Sequence, residues 1–249
     1  MTQIRVLIVD DSALVRRLVA TALASDPAIE IVGRARDGVE AVRMVDELLP
    51  DVVTLDVEMP ELDGIGALVQ IRKKHRKLPI IMFSTLTERG ARTTLEALSR
   101  GASDYVTKPS NTGRIADGIA AVRDQLVPRI HALAGVRPAS PSGAGTLRRR
   151  PSSAGRGPAA AIPLEALVIG CSTGGPDALA RLLPLLPGDL GVPVLVVQHM
   201  PPVFTRQFAQ RLDRLSALRV VEAVEGTPLV PGTVQLAPGD HHLVVRSTR

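Results

Sequence analysis

Aromatic side chains are nearly missing from this 249-residue chain: it has no tryptophan, and one tyrosine with three phenylalanines makes up 2% of its residues. Its 45% hydrophobic content must therefore build aliphatic cores, and its length suggests about two globular domains. Cysteine occurs once, at Cys171, which excludes an internal disulfide framework and suits a reducing compartment. No apolar run has the length of a membrane span, and the N-terminus enters a strand without the layout of a secretory signal. Together these features point to a cytoplasmic protein without membrane insertion.

Basic charge is present, with a formal net charge of +5, but not in a form that suits nucleic acid. The run RKKHRK from Arg72 to Lys77 reads as the solvated end of a helix, and Arg148, Arg149 and Arg150 fall in a linker-like stretch. Neither cluster is interleaved with aromatics or set beside a helix-turn-helix pattern. Nucleic acid is not an expected partner, and a transcription regulator would need a DNA-reading helix that the sequence does not display.

From about His131 to Ala161 the chain is dominated by Ala, Pro, Ser, Gly and Arg, with no sustained apolar period, the composition of a tether. The expected organisation is a first domain over 1–130, a flexible linker over 131–161 and a second domain over 162–249. In the first domain, strand-like runs at Arg5 to Val9, Glu30 to Val32, Val52 to Leu55, Ile80 to Phe83 and Asp104 to Val106 alternate with amphipathic segments. Val15, Leu18, Val19, Ala22 and Leu23 form one helical stripe. That alternation predicts an α/β fold with a parallel five-stranded sheet.

Ligands of such sheets gather outside the carboxyl ends of the strands. Those ends carry Asp10 and Asp11, Asp56, Ser84, and Lys108 before Pro109. Three carboxylates that close repel unless a cation neutralises them, and a hard divalent ion, Mg²⁺, is the economical choice. Each residue also has a plain reading: Asp11 or Ser12 can cap the following helix, and core tyrosines and strand-end serines are common. The combination at matching strand ends is what carries the inference.

DDS at Asp10 to Ser12, LDVEMPELDG at Leu55 to Gly64 and TKP at Thr107 to Pro109 resemble response-regulator receiver domains, which are flavodoxin-like. The resemblance implies that Asp56 accepts a phosphoryl group from a sensor histidine kinase. Asp10, Asp11, Asp56 and the backbone carbonyl of Glu58 would hold Mg²⁺, and Ser84, Lys108 and Tyr105 would sense the phosphate. The chemistry agrees, since Mg²⁺ and an ammonium offset charge on a transferring phosphoryl group.

The second domain opens with ALVIGCSTGG at residues 166–175. Gly170 to Gly174 fits the G-x-S-x-G elbow, which holds a serine exposed on a sharp strand-to-helix turn. A nucleotide P-loop is disfavoured because no lysine stands at the Walker position. Strands at Ala166 to Ile169 and Val192 to Val197, with a mostly helical Pro176 to Leu186 between them, make one right-handed βαβ unit. Ser172 and His199 then sit at the carboxyl ends of neighbouring parallel strands, about 4.8 Å apart, where a nucleophile and its general base can meet. The amides of Thr173, Gly174 and Gly175 are candidate oxyanion donors. Taken singly, Ser172 reads as a helix cap and His199 as structural; the pairing favours catalysis.

An ordinary α/β-hydrolase places its acid between serine and histidine, which this chain does not. GCSTGG, QHMPPVFT at Gln198 to Thr205 and APGDHH at Ala237 to His242 resemble instead the catalytic domain of chemotaxis protein-glutamate methylesterases, a doubly wound α/β domain that follows a receiver and a linker. The resemblance implies a carboxylic ester hydrolase with Ser172 as nucleophile and His199 as base. Its substrates would be glutamate methyl esters on chemoreceptors, with glutamine deamidation alongside, and phosphorylation would relieve blocking of the site by the receiver. That family's orienting aspartate lies in a Gly-Met-Gly-x-Asp-Gly segment that does not occur in residues 1–249. Asp177, Asp189, Asp213 and Asp240 carry no motif for the role. The expected catalytic domain is therefore C-terminally incomplete and poorly active as it stands, and the alternative is a noncatalytic receiver that binds partners or drains phosphate from a kinase.

Overall fold

A computed structural model describes residues 3–109, 114–135 and 164–246. The first domain winds strands β1 (Ile4–Val9), β2 (Ile29–Ala35), β3 (Val52–Asp56), β4 (Ile80–Ser84) and β5 (Asp104–Thr107) with helices α1 (Ala13–Leu23), α2 (Gly38–Leu48), α3 (Gly64–Lys74), α4 (Glu88–Ser99) and α5 (Ile115–Ala134). All pairings are parallel, in the order β2-β1-β3-β4-β5. Helix starts follow from side-chain caps: Ser12, Asp37, Asp63 and Thr87 each accept a backbone N–H from the first turn. The expected stripe on α1 holds, with Val19, Ala22 and Leu23 buried and Val15 and Leu18 packed partly against the same core.

Helix α5 passes the domain boundary expected at 130 and runs to Ala134. The rest of the expected linker, from 136 on, lies outside the described residues up to 163, as do Arg148 to Arg150. RKKHRK is not wholly solvated. Arg72 is half-buried, and its guanidinium donates to the carbonyls of Gly101 and His75 at 2.7–2.9 Å, tying the end of α3 to the loop before β5; burial pulls its pKa down to about 10.

The second domain contains β6 (Leu167–Cys171), α6 (Gly175–Leu182), β7 (Val194–Gln198), α7 (Pro202–Leu215), β8 (Arg219–Glu222) and β9 (Thr233–Leu236). Its strands are parallel in the order β6-β7-β9-β8. The helix expected over Pro176 to Leu186 ends early, giving way to a 3₁₀ turn at Leu183–Leu185. Pro184 lacks the N–H that a continuing α-helix would use. Strand β6 is an edge, and Val168 and Val197 beside it are exposed.

The cores are aliphatic, yet every aromatic side chain is buried: Phe83, Tyr105, Phe204 and Phe208. Tyr105 on β5 stacks on Phe204 of α7, with ring centroids 4.7 Å apart and planes inclined by 8°. Arg211 on α7 donates to the Leu95 carbonyl of α4 at 2.7 Å, and one apolar cluster runs from Leu95, Leu98 and Tyr105 into Leu179, Phe204 and Phe208. The α4 and β5 side of the first domain thus packs on α6 and α7, the two helices that follow the Ser172 and His199 turns.

Candidate functional sites

The first site lies where the strand order of the first sheet reverses, beside β1 and β3. Asp10 and Asp56 are 1% and 2% exposed, and carboxylate oxygens of Asp10, Asp11 and Asp56 all lie within 4.8 Å of one another. Lys108 reaches in from beyond β5, its Nζ 2.8 Å from Asp56 Oδ2 and 3.0 Å from Asp10 Oδ2. The Ser12 amide donates to Asp10 Oδ1 at 2.9 Å and the Glu58 amide to Asp56 Oδ1 at 3.4 Å. Burial first, and then the charge of Asp10, push Asp56 up to about 6. Burial likewise raises Asp10, against the pull of Lys108. Burial alone would lower Lys108, but its bonds to Asp56 and Asp10 more than offset this and raise it.

One ammonium does not satisfy this pocket. Asp10 Oδ2 is buried without a well-aligned hydrogen bond, and Asp11, on the exposed side, leaves an entry from solvent. Three carboxylates sharing a single ammonium leave net negative charge in the pocket, and clustered carboxylate oxygens are the donor set a hard divalent cation takes. Ser84 is buried at the end of β4, its hydroxyl donating at 3.3 Å to the Gly90 carbonyl. The glycine at 90 is needed there, because a Cβ would collide with the Thr85 carbonyl. Tyr105 is removed from the acidic cluster and stacked on Phe204; burial raises its hydroxyl pKa further.

The second site is built by register. Strands β6 and β7 pair in parallel with Cys171 opposite Gln198, so Ser172 and His199 each leave the sheet one residue beyond a paired position. Both are exposed, and the His199 amide donates to the Cys171 carbonyl at 3.2 Å. Gly174 has φ +74, a left-handed conformation that glycine adopts without strain, and α6 begins at the next residue. Asp104, buried on β5, pairs with Arg129 at 3.2 Å. Burial raises its pKa, partly countered by the Tyr105 amide, by Arg129 and by the neighbouring Thr173 side chain. Thr173 is thereby in contact with the first domain.

One expected oxyanion donor requires correction. The Gly175 amide donates to the Ser172 carbonyl at 2.9 Å, closing the turn, and does not face a substrate; Thr173 and Gly174 remain candidates. The aspartates without a motif are engaged elsewhere or set apart: Asp177 pairs with Arg181 at 2.9 Å, Asp213 accepts the Val220 amide at 2.8 Å, and Asp240 occupies a turn at φ 59. Among the described residues no carboxylate is bonded to the His199 ring.

Sequence reasoning missed three residues that assemble this region. Gln198 is buried between the two turns and donates to both the Ser172 and the His199 carbonyl. Thr205 accepts the Gly239 amide at 3.1 Å and donates to Glu222, and a Cβ on Gly239 would overlap the Met200 to Pro202 backbone. These contacts are why QHMPPVFT and APGDHH come together. Their sequence signal was present in the motifs themselves, but only the histidine drew attention.

A parallel five-stranded domain with an acidic cluster at its switch point, joined to a second parallel α/β domain with a strand-turn-helix serine, defines the class: a response regulator with an attached hydrolase-type domain. Residues 6–120 match the response regulator receiver domain family and residues 167–249 the CheB methylesterase family. Proteins named protein-glutamate methylesterase/protein-glutamine glutaminase are similar over almost the whole chain. The one from Nocardioides sp. is 54% identical over 98% of this chain and 68% of its own length. Those from Symbiobacterium thermophilum and Thermotoga maritima are 47% and 43% identical, over 97% and 98% of this chain and 69% of their own. The chain belongs to the receiver-containing protein-glutamate methylesterase family and spans about two thirds of the length of these relatives. Among the described residues no helix is long and apolar enough to cross a membrane.

Proposed function

We propose that this chain acts in chemotaxis adaptation as a phosphorylation-controlled protein-glutamate methylesterase, hydrolysing methyl esters of glutamate side chains on chemoreceptors and the side-chain amide of glutamine. The observation that carries the reading is the register of β6 and β7, which sets Ser172 beside His199. His199 takes the Ser172 proton as the hydroxyl attacks the ester carbonyl, then returns it to the leaving methoxide; water repeats the sequence on the acyl-enzyme. The amides of Thr173 and Gly174, before α6, face the developing oxyanion. In the receiver, Asp56 is the phosphoryl acceptor and a sensor histidine kinase its donor. Asp10, Asp11, Asp56 and the Glu58 backbone carbonyl are the residues that would hold Mg²⁺, which supplies positive charge to the transferring phosphoryl group. Ser84, Lys108 and Tyr105 respond to the phosphate. The domains are a receiver over 1–130, with its last helix continuing to Ala134, a linker up to 161 and a catalytic region over 162–249, working in the cytoplasm.

Ser172 and His199 are exposed although the domains are packed together, so blocking of the site acts through access by a bulky receptor and through the Thr173 contact. The test is methanol release from methylated receptor membranes, comparing the chain, and the chain with a complete C-terminal segment appended, with their Ser172→Ala variants. Release that persists at full rate in Ser172→Ala refutes the assignment of the nucleophile.

A further inference from the structure

Gln198 ends β7, 5% exposed, between the two catalytic turns. Its Nε2 donates to the Ser172 carbonyl at 3.1 Å and to the His199 carbonyl at 3.2 Å. Both partners are carbonyl oxygens, so the atom facing them must be the amide nitrogen, and its two N–H groups are consumed by the two turns. The Oε1 on the other side is buried without a partner. It lies against Gly175, where a Cβ would overlap both Oε1 and the Cys171 side chain. The first residue of α6 is therefore held to glycine by the carboxamide beneath it.

A side chain present only to fill this space would be apolar, since an unpartnered amide oxygen is unfavourable in a buried site. Methionine has nearly the same shape without that penalty. Nor do the carbonyls need Gln198 to be satisfied: Ser172 O also accepts the Gly175 amide, and His199 is exposed to water. What only the carboxamide does is bond both turns at once.

We infer that Gln198 is a positioning residue for the hydrolysis, holding the Ser172 and His199 turns at a fixed separation through one side-chain amide. The inference rests on the Ser172 and His199 reading above. On the β6 side the turns are tied by the His199 amide and the Cys171 carbonyl at 3.2 Å; Gln198 supplies the tie on the other side, without which both exposed turns swing about a single hinge. A displacement of about 1 Å between reacting groups is enough to cost on the order of 100-fold in rate.

The test needs no turnover. In the whole chain labelled at histidine, the imidazole signal of His199, assigned by its loss in His199→Gln, is recorded by NMR at one fixed pH with and without Ser172→Ala. Where the two side chains are neighbours, Ser172→Ala moves the His199 signal. The expected result is a clear Ser172-dependent shift in the native chain and its loss in Gln198→Met, while the melting temperature of Gln198→Met is unchanged or higher. Gln198→Asn, which keeps the amide but is too short to reach both carbonyls, should lose the shift as well, and it serves if the methionine variant does not fold. An equal shift in the native chain and in a folded Gln198 variant overturns the positioning role. No shift in the native chain overturns the Ser172 and His199 pairing itself, a distinct outcome.

Discussion

Replacing Asp56 by asparagine should separate what the acidic cluster does for chemistry from what it does to stability. In the folded chain Asp56 is raised from its ordinary 3.8 to about 6, by burial first and by Asp10 second. A carboxyl with a raised folded pKa holds its proton more tightly in the folded than in the unfolded state. Stability is therefore lost as pH climbs from about 4 through about 6, and the full penalty is present at neutral pH. At about 1.4 kcal/mol per pH unit the rise amounts to about 3 kcal/mol. The 2.8 Å bond from Lys108 is already counted in that rise, since it pulls the Asp56 carboxyl down against burial, and Lys108 keeps Asp10 at 3.0 Å in the variant. A net stabilisation of about 2–3 kcal/mol is expected for Asp56→Asn at pH 7.5 without divalent cation, or a rise of about 6–12 °C in the receiver transition. The gain should vanish near pH 4, where the native carboxyl is protonated too. Added Mg²⁺ should close the gap by stabilising the native protein more than the variant. Calorimetry of both proteins at pH 4 and 7.5, with and without Mg²⁺, makes the measurement, and acid-labile phosphate from a small phosphodonor should disappear in the variant. Destabilisation at pH 7.5, or a difference independent of pH, would refute the reasoning from a buried like-charge pair; undiminished phosphate would refute Asp56 as acceptor.

Lys108→Ala removes the cation facing both carboxylates, so it should destabilise the receiver at neutral pH while leaving phosphoryl transfer to Asp56 less affected than the response that follows; phosphate incorporation and esterase activation measured side by side decide this. Phe204→Ala removes the Tyr105 stack, worth about 0.5–1.5 kcal/mol beyond its buried area, and should loosen the α4 and β5 contact, read as faster amide exchange in α4. Unchanged exchange would mean the stack does not hold the domains together. Gly175→Ala should destabilise the second domain by about 1–3 kcal/mol, since the added methyl cannot avoid Gln198 and Cys171; a neutral change in melting would show that the turn yields. With no carboxylate bonded to the His199 ring among the described residues, Ser172-dependent methanol release by residues 1–249 should fall on the order of 10⁴ below that of a complete triad.

Local chemistry was enough to read the first domain. Period-2 and period-3.6 runs located all five strands to within a few residues, because buried parallel strands must be apolar and α1 must show one stripe to the sheet. Asp10, Asp56 and Lys108 were legible because strand ends gather ligands wherever the strand order reverses. The helix that stops at Leu182 was also written locally, in Pro184, though the apolar run through Leu186 hid it. Tertiary structure decided what depends on partners far along the chain. Arg72 looked like one of five solvated charges until Gly101 was brought beneath it. Gly175 looked like an oxyanion donor until its amide closed on Ser172. Tyr105 meets Phe204, and Asp104 meets Thr173, across about 70–100 positions, and no periodicity encodes such a pairing. Gln198 is the clearest case: in sequence it is a polar residue beside a conspicuous histidine, and only the parallel register of β6 and β7 turns its two N–H groups onto the carbonyls of the nucleophile and the base.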